Sequence, residues 1–331
     1  MRLKRCSKVN PFLVIVRETI HRGNSQMLDY YIHRFDKKNF RLVMTILVKN
    51  EADIIAANIK THAALGVDAF VVMDNDSDDG TREILAELQK SYEIMIIDEK
   101  GDYKQARWMR RLAHTAKRNM GADWVINNDA DEFWLPQNDK NLKENLSFKG
   151  SVLTVQRYNM VPDEKSIRPG HFFESDYYVK NPIFYKKTKE LTNEKQSIIL
   201  GKIGPKTIVN PHGLVYLRGG NHKALHIGNL RDYFRSGYDK IKRFEAIEVF
   251  HYSIRNYAQF EKNILNRKRL LESGKKVSMG PHYRRWTRLY NEGRLEEEFY
   301  NNILFTQPVL DVLAKYDIVS SEKPIAEKIV R

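Results

Sequence analysis

The sequence predicts an α/β fold: a mostly parallel sheet with helices on both faces, followed by a helical C-terminal region. Three observations carry this. Uninterrupted apolar runs of strand length recur over residues 42–128, as suits parallel strands buried on both faces. Segments with apolar residues at helical spacing separate them. Each run also ends on a polar cluster, and in such sheets ligands bind beyond the carboxyl ends of the strands.

Leu42 to Val48 is the first strand, broken by Asn50-Glu51. A helix follows with Ile54, Ile55, Ile59, Ala63 and Leu65 on its inner face, ending at Gly66. His62 lies near that face and reads as a core or boundary histidine. Ala69 to Met73 is the second strand, running into the acidic stretch Asp74 to Asp79. Thr81 is expected to cap the next helix, which carries Ile84, Leu85 and Leu88. Ile94 to Ile97 is a third strand, followed by the polar stretch Asp98 to Asp102. A helix over about Tyr103 to Met120 buries Met109, Leu112, Ala113 and Ala116. Trp124 to Asn128 is a fourth strand, with Asp129 at its carboxyl end. Repeated strand–helix units of this kind lead to a parallel sheet.

Beyond residue 140 the pattern changes. Val152 to Val155 is a strand, and residues 156–225 read as loops with short strands at Lys206 to Val209 and Leu214 to Leu217. From about 231 the chain is expected to turn helical, with one helix from Tyr257 to Ser273 ended by Gly274. The resulting organisation is a basic N-terminal extension (1–40), an α/β domain (41–230) and a basic helical C-terminal region (231–331) packed on the core.

Composition narrows the class. A hydrophobic content of 42% describes a globular chain with a sizeable core. Cys6 is the single cysteine, so no intramolecular disulfide can form, which fits a reducing compartment or simple disuse of disulfides. The Phe12 to Val16 run is too short for an export signal, and no stretch approaches a membrane span. The expectation is a soluble cytoplasmic protein. The net charge of +14 is unevenly placed: residues 1–41 carry +7 and residues 231–294 carry +9, while 295–331 carry −3. Basic flanks around a near-neutral centre suit a phosphate-rich partner, such as the anionic inner face of a membrane or a charged acceptor, or are a solvated surface.

The chemistry is concentrated in Asp-x-Asp pairs, of which there are three: Asp74/Asp76, Asp76/Asp78 and Asp129/Asp131. Alone, such a pair is as readily a turn or a helix cap. Position singles out Asp129 and Asp131. On an extended segment residues two apart share a face, so both carboxylates can meet one cation while Ala130 turns to the core. Mg²⁺ or Mn²⁺ prefers hard oxygen ligands and keeps sites for diphosphate oxygens. The Asp74 cluster sits at a strand-to-helix turn, where a carboxylate can accept from ribose hydroxyls or a base N–H. The G-x-G-x-x-G turn of dinucleotide-binding folds and the G-x-x-x-x-G-K-[ST] phosphate loop are both missing, which argues against a dehydrogenase and a P-loop nucleotidase.

These segments resemble family 2 glycosyltransferases. Thr45 to Glu51 looks like their first strand and Asn-Glu turn, Val71 to Thr81 like their strand-Asp-Asp-Gly-Ser-x-Asp-Gly-Thr segment, and Trp124 to Phe133 like their metal-binding strand. The Asp-Ala-Asp-Glu-Phe form is similar to the branch described as glycosyl transferase family 2 like. The likeness is strong over about 41–135 and weaker over Lys206 to His222 and over His251 to Gly274, where His251, Arg255, Phe260 and Lys262 resemble a C-terminal family pattern.

The resemblance implies a GT-A fold, a nucleotide-sugar donor that is most often UDP-linked, and a divalent metal, Mn²⁺ or Mg²⁺. Carried over, Thr45, Asn50, Glu51 and Asp74 would line the nucleoside pocket, and Asp129 and Asp131 would hold the metal and diphosphate. A histidine further along, His222 or His251, would complete the metal or diphosphate site, and Lys223 would pair with a phosphate. An inverting hexosyltransferase also needs a carboxylate base. The family's Glu-Asp pair is missing, and Asp163, Glu174 and Asp176 are the candidates. Of the polymerases' Gln-x-x-Arg-Trp only Arg285-Trp286 is kept, read as coincidence or a surface helix.

The expected function is a metal-dependent, single transfer of sugar to a glycan or lipid-linked acceptor in cell-surface polysaccharide synthesis. Peripheral contact with an anionic membrane accompanies it. Two other classes remain open. A basic nucleic-acid-binding protein would use Tyr283, Trp286 and Tyr290 as exposed aromatics among arginines. A nucleotidyltransferase would share the nucleotide-sugar chemistry.

Overall fold

The computed structural model describes residues 25–100, 105–184, 193–230, 243–272 and 280–330. Cys6, the Phe12 to Val16 run, Asp102, Tyr103, Ser273 and Gly274 lie outside these residues.

A helix, α1 (Ser25–Ile32), precedes the alternating part of the chain. That part consists of β1 (Leu42–Val48), α2 (Ile55–Ala64), β2 (Ala69–Asp74), α3 (Thr81–Leu88), β3 (Ile94–Asp98), α4 (Gln105–Met120) and β4 (Trp124–Asp129). The four strands pair in parallel. Their apolar runs supply both faces of the sheet. Leu42, Met44 and Ile46 enter one core with Ile55 and Ile59 of α2 and Leu85 of α3. Val43 enters the other, with Val71, Met73 and Val125 against Met109, Leu112 and Ala116 of α4. Each such side chain contributes about 1.5–3 kcal/mol when fully buried. Helix α2 ends as expected at Gly66, whose φ of +94° suits glycine. A Cβ there would also lie 3.1 Å from Lys143 Cβ.

The cap of α3 differs from expectation. Asp79 Oδ1, not Thr81, accepts the backbone N–H at the helix start, from Thr81 itself at 3.1 Å. The Thr81 hydroxyl instead accepts Glu51 N–H at 2.9 Å, tying the first loop to the second.

Four later strands extend this sheet. β5 (Glu132–Pro136), which the sequence reading did not assign, follows β4 directly. Next come α5 (Leu142–Asn145), β6 (Val152–Asn159), β7 (Tyr178–Val179), β8 (Lys206–Val209), β9 (Leu214–Leu217), β10 (Ala224–His226) and β11 (Arg243–His251). The expectation that the chain turns helical from 231 is corrected here. Residues 243–251 form a strand of the main sheet, so the sheet does not stop at residue 230. Glu245 and Glu248 break up the apolar pattern of β11, while Ile247, Val249 and Phe250 are buried.

The eight-stranded order is β3-β2-β1-β4-β8-β6-β11-β5, with β8 and β5 antiparallel to their neighbours. Four strand spacings of about 4.8 Å separate β4 from β5 in this order, or about 19 Å. The link from Asp129 to Glu132 can span only about 11 Å. The sheet therefore curls, bringing its far edge back to β4 where these two strands meet.

The helices α6 (Tyr257–Glu272), α7 (Pro281–Asn291), α8 (Leu295–Asn302) and α9 (Gln307–Lys315) and the short β12 (Val319–Ser320) complete the chain. The expected C-terminal helices thus exist, around a core that includes Phe260, Trp286, Leu289, Phe299 and Leu310. The surface-helix reading of Arg285-Trp286 does not hold. Both side chains are buried, and Glu298 accepts from Arg285 Nη2 at 2.7 Å and from Trp286 Nε1 at 2.9 Å. Tyr283 and Tyr290 pack on the same core, so these aromatics form no exposed stacking platform. Among the described residues no helix is long and apolar enough to cross a membrane.

Candidate functional site

Because β1, β2, β3, β4, β6 and β11 run in one direction, their carboxyl ends share one edge of the sheet. β5 and β8 run the other way and begin there. Asp129, Asp131, Glu132, Lys206 and His251 meet at this edge from positions scattered over the chain.

A buried amide shapes the acidic turn. Asn58 of α2 donates from Nδ2 to the carbonyls of Ala130 and Glu132, both at 2.9 Å. Its Oδ1 accepts from Asn128 Nδ2 at 3.0 Å. His62 supports the same region, accepting Trp134 N–H on Nε2 at 2.9 Å while Nδ1 donates to Asn58 O at 2.8 Å. It is fully buried and neutral, a core histidine as expected, and burial pushes its pKa down to about 3.

Beneath the turn lies a charged network. Lys206 is 0% exposed, with Nζ 2.5 Å from Asp129 Oδ2 and 2.9 Å from Glu132 Oε2. Arg157 Nη1 donates to Glu132 Oε1 at 2.6 Å. An ammonium that far from water is tolerable only when paired in this way. The network fixes Asp129 from below and leaves Asp131 at the opening.

Asp131 Oδ2 lies 3.3 Å from His251 Nε2. The other ring nitrogen, Nδ1, lies 3.1 Å from Asn159 Oδ1. Asn159 commits its Nδ2 to Ile199 O at 2.9 Å, so Oδ1 is the acceptor and His251 Nδ1 carries the proton. That tautomer turns the Nε2 lone pair toward a carboxylate, an arrangement relieved by a cation or a second proton between them. Burial alone would raise the Asp131 carboxyl. With the second proton on Nε2, His251 outweighs it together with Arg255 and Lys206, and they hold Asp131 well below the usual carboxylate range.

Arg255 closes the other side. Its Nη2 donates to Glu51 at 2.6 Å, and its Nε donates to Asp53 at 2.6 Å. Burial raises the Glu51 carboxyl, and Asp131 and Asp53 add to that against the pull of Arg255. Five carboxylates (Glu51, Asp53, Asp129, Asp131, Glu132) thus surround three permanent cations (Arg157, Lys206, Arg255), so the carboxylates outnumber the cations even with Glu51 protonated. The donor atoms of Asp131, Glu132 and His251 lie within 4.8 Å of one another, which fits a divalent cation.

The loops after β1 and β2 interlock beside this cluster. Asn50, at φ +60°, accepts Asp78 N–H on Oδ1 at 2.8 Å. Asp74 Oδ1 accepts from the Ser77 backbone at 3.1 Å and from the Ser77 hydroxyl at 2.6 Å. Thr45 sits deeper. It is 0% exposed and spends its hydroxyl on Asn127 Oδ1 at 3.3 Å, so it supports the loops from within rather than lining a pocket.

The other expected residues fall outside the cluster. His222 Nδ1 donates to Pro205 O at 2.8 Å, its ring packs on Gly220, and it is not among the grouped donors. Burial, then Arg157 and Lys206, push its pKa down to about 4. Lys223 lies between β9 and β10, where its carbonyl accepts Arg218 N–H. Asp163 is buried, with Oδ1 accepting Ser166 N–H at 2.8 Å and Lys165 N–H at 3.1 Å in its own turn. Glu174 is ion-paired with Arg168 and with His171. Asp176 is exposed, near enough to raise the buried Tyr252 hydroxyl after burial itself has done so.

Sequence reasoning passed over Asn58, Glu132, Arg157 and Lys206 as site residues. Glu132 carried a signal, since it directly follows the Asp-x-Asp pair. A lysine opening a short strand carries none. A second donor group, His33, Asp123 and His212, lies at the opposite edge, where Asp123 precedes β4. Its members are already paired, His33 with Asp123 at 2.8 Å and His212 with Asp29 at 3.0 Å.

Residues 45–208 match the model of the family described as glycosyl transferase family 2. No curated protein matches the sequence. Similar solved structures include the 1–349 segment of S. aureus TarS in complex with UDP-GlcNAc, at 14% identity over 52% of this chain and 46% of that one, TM-score 0.34. The same segment in complex with UDP gives 13% identity, 79% and 72% coverage, and TM-score 0.37. Glucosyl-3-phosphoglycerate synthase from Mycobacterium tuberculosis, in complex with Mn²⁺, UDP and phosphoglyceric acid, gives 20% identity, 72% and 81% coverage, and TM-score 0.37. The match spans less than half the length of the first of these chains.

Proposed function

We propose that the chain, whose residues 45–208 match glycosyl transferase family 2, is a glycosyltransferase acting on a nucleotide sugar, with a UDP-linked donor held through a divalent cation, Mn²⁺ or Mg²⁺, at Asp131 and His251. The acceptor in this reading is a glycan or lipid-linked precursor of cell-surface polysaccharide, glycosylated once per encounter. The observation that carries the proposal is the pair itself: a carboxylate facing Nε2 of a histidine whose tautomer Asn159 sets, inside a cluster where carboxylates outnumber permanent cations.

In this mechanism Asp131 and His251 hold the cation, with Asp129 positioned by Lys206. When bound, the cation supplies Lewis-acid stabilisation of the departing diphosphate. Asp74 and the Asn50 loop receive the nucleoside, where a carboxylate suits ribose hydroxyls. Asp176 is our candidate for taking the acceptor's hydroxyl proton, because Asp163 and Glu174 are engaged elsewhere. Displacement assisted by such a base inverts the anomeric configuration. The basic residues of 1–41 and 231–294 support work at the anionic cytoplasmic face of a membrane.

Thermal shift with UDP, GDP and CMP, each with and without Mn²⁺, tests the donor assignment. UDP is expected to stabilise the chain in a metal-dependent way that Asp131→Ala removes. Stabilisation by none of the three nucleotides would overturn it.

A further inference from the structure

A cleft of about 210 Å³ opens between β6, the segment after β7 and the residues leading into β8. Its lining includes Arg157, Tyr158, Asn159, Lys180, Lys202 and Arg243, and none of its lining residues is acidic. Two of its walls belong to the cation cluster. Arg157 pairs with Glu132, and Asn159 orients His251. The nucleoside loops follow β1 and β2, on the far side of β4 in the sheet order, so the cleft lies on the other half of the sheet from them.

Its chemistry is selective. Lys202 and Arg243 are exposed at the mouth, and Arg243 Nη1 donates to the neutral Gln156 Oε1 rather than to a carboxylate. Lys180 is paired with Asp317 at 2.8 Å, which anchors that wall. Guanidinium and ammonium groups with no carboxylate in the lining suit an oxyanion, and a guanidinium can bind phosphate oxygens in a bidentate way. The volume falls below that of drug-sized pockets and suits a small polar group.

We infer that this cleft is the acceptor subsite and that it takes a phosphate-bearing acceptor, with the phosphoryl group near Lys202 and Arg243 and the accepting hydroxyl toward Asp131 and His251. The inference rests on the donor reading above, since an acceptor subsite requires a donor beside it.

Full-length protein saturated with UDP and Mg²⁺ is titrated calorimetrically with inorganic phosphate, glucose 6-phosphate and glucose. Phosphate and glucose 6-phosphate should bind and glucose should not. Lys202→Ala combined with Arg243→Ala should weaken both anions about tenfold or more and leave the UDP·Mg²⁺ thermal shift unchanged. Glucose binding as tightly as its phosphate overturns the inference, as does a double variant that binds both anions like the wild type. Absence of the UDP·Mg²⁺ shift in the wild type overturns the donor reading instead, and the acceptor assignment with it.

Discussion

His251 and Asp131 come within 3.3 Å because Glu132, the next residue after Asp131, is the register partner of His251 across β5 and β11. Strand pairing, not proximity in sequence, delivers the imidazole to the acidic turn. The backbone seals the arrangement, with Tyr252 N–H donating to Asp131 O at 2.8 Å.

The orientation of His251 should matter as much as its presence. Asp131→Asn and His251→Ala are expected to remove metal-dependent UDP binding. Asn159→Ala keeps both donors but releases the ring, and should weaken Mn²⁺ by about 10–100-fold. Calorimetric Mn²⁺ titration with UDP present measures this. Wild-type affinity in Asn159→Ala would show that the tautomer is not held from Asn159.

Lys206→Met leaves Asp129 and Glu132 facing each other without their shared ammonium. Breaking a buried pair from one side costs about 3–5 kcal/mol. Urea denaturation should report a loss of that size, partly recovered when Glu132→Gln is added. A loss under about 1 kcal/mol is what a solvated, weakly coupled pair would give.

Asn58→Ala removes the donor that holds the Ala130 and Glu132 carbonyls. Leaving such buried acceptors unpaired costs about 1–3 kcal/mol each. The turn should loosen, so metal affinity and stability are expected to fall together, whereas Asn58→Asp, which cannot donate, should rescue neither.

Acid should destabilise the fold through His62. Its folded pKa of about 3 lies below the ordinary 6.5, so the unfolded chain binds a proton that the folded chain refuses. Stability is then full above about pH 6.5 and declines as pH falls toward 3, by about 1.4 kcal/mol per unit within that window. At pH 5 the cost is about 2 kcal/mol. Urea titrations of wild type and His62→Gln at pH 7.5 and 5 should show the smaller pH dependence in the variant.

Glu298→Ala strands the buried Arg285 and the Trp286 indole N–H. A destabilisation of about 3–5 kcal/mol is expected from the uncompensated charge. The damage should centre on the C-terminal helices, with limited proteolysis cutting there first while UDP still protects the sheet.

Much of the fold was legible for a physical reason. Strands buried on both faces need unbroken apolar runs, and Leu42–Val48 and Ala69–Met73 are such runs. β5 and β11 lie toward the far edge, and β11 mixes Glu245 and Glu248 with its buried residues, so neither gave a clean period. Thr81 looked like a cap because threonine caps helices well. Its hydroxyl was needed by Glu51 N–H instead, a contact thirty positions away that no local pattern encodes.

By itself the sequence determined the alternation of strand and helix and the placing of Asp129 and Asp131 at the end of a strand, because both follow from local periodicity and a two-residue spacing. Only the tertiary structure decided what surrounds them. The curl of the sheet brings β5 back to β4, the register of β5 on β11 sets His251 beside Asp131, and β8 carries Lys206 beneath them. Strand order and register are long-range, and a charge is buried only where opposite charges from elsewhere in the chain meet it. For that reason His251, and not His222, joins the donor group among the described residues.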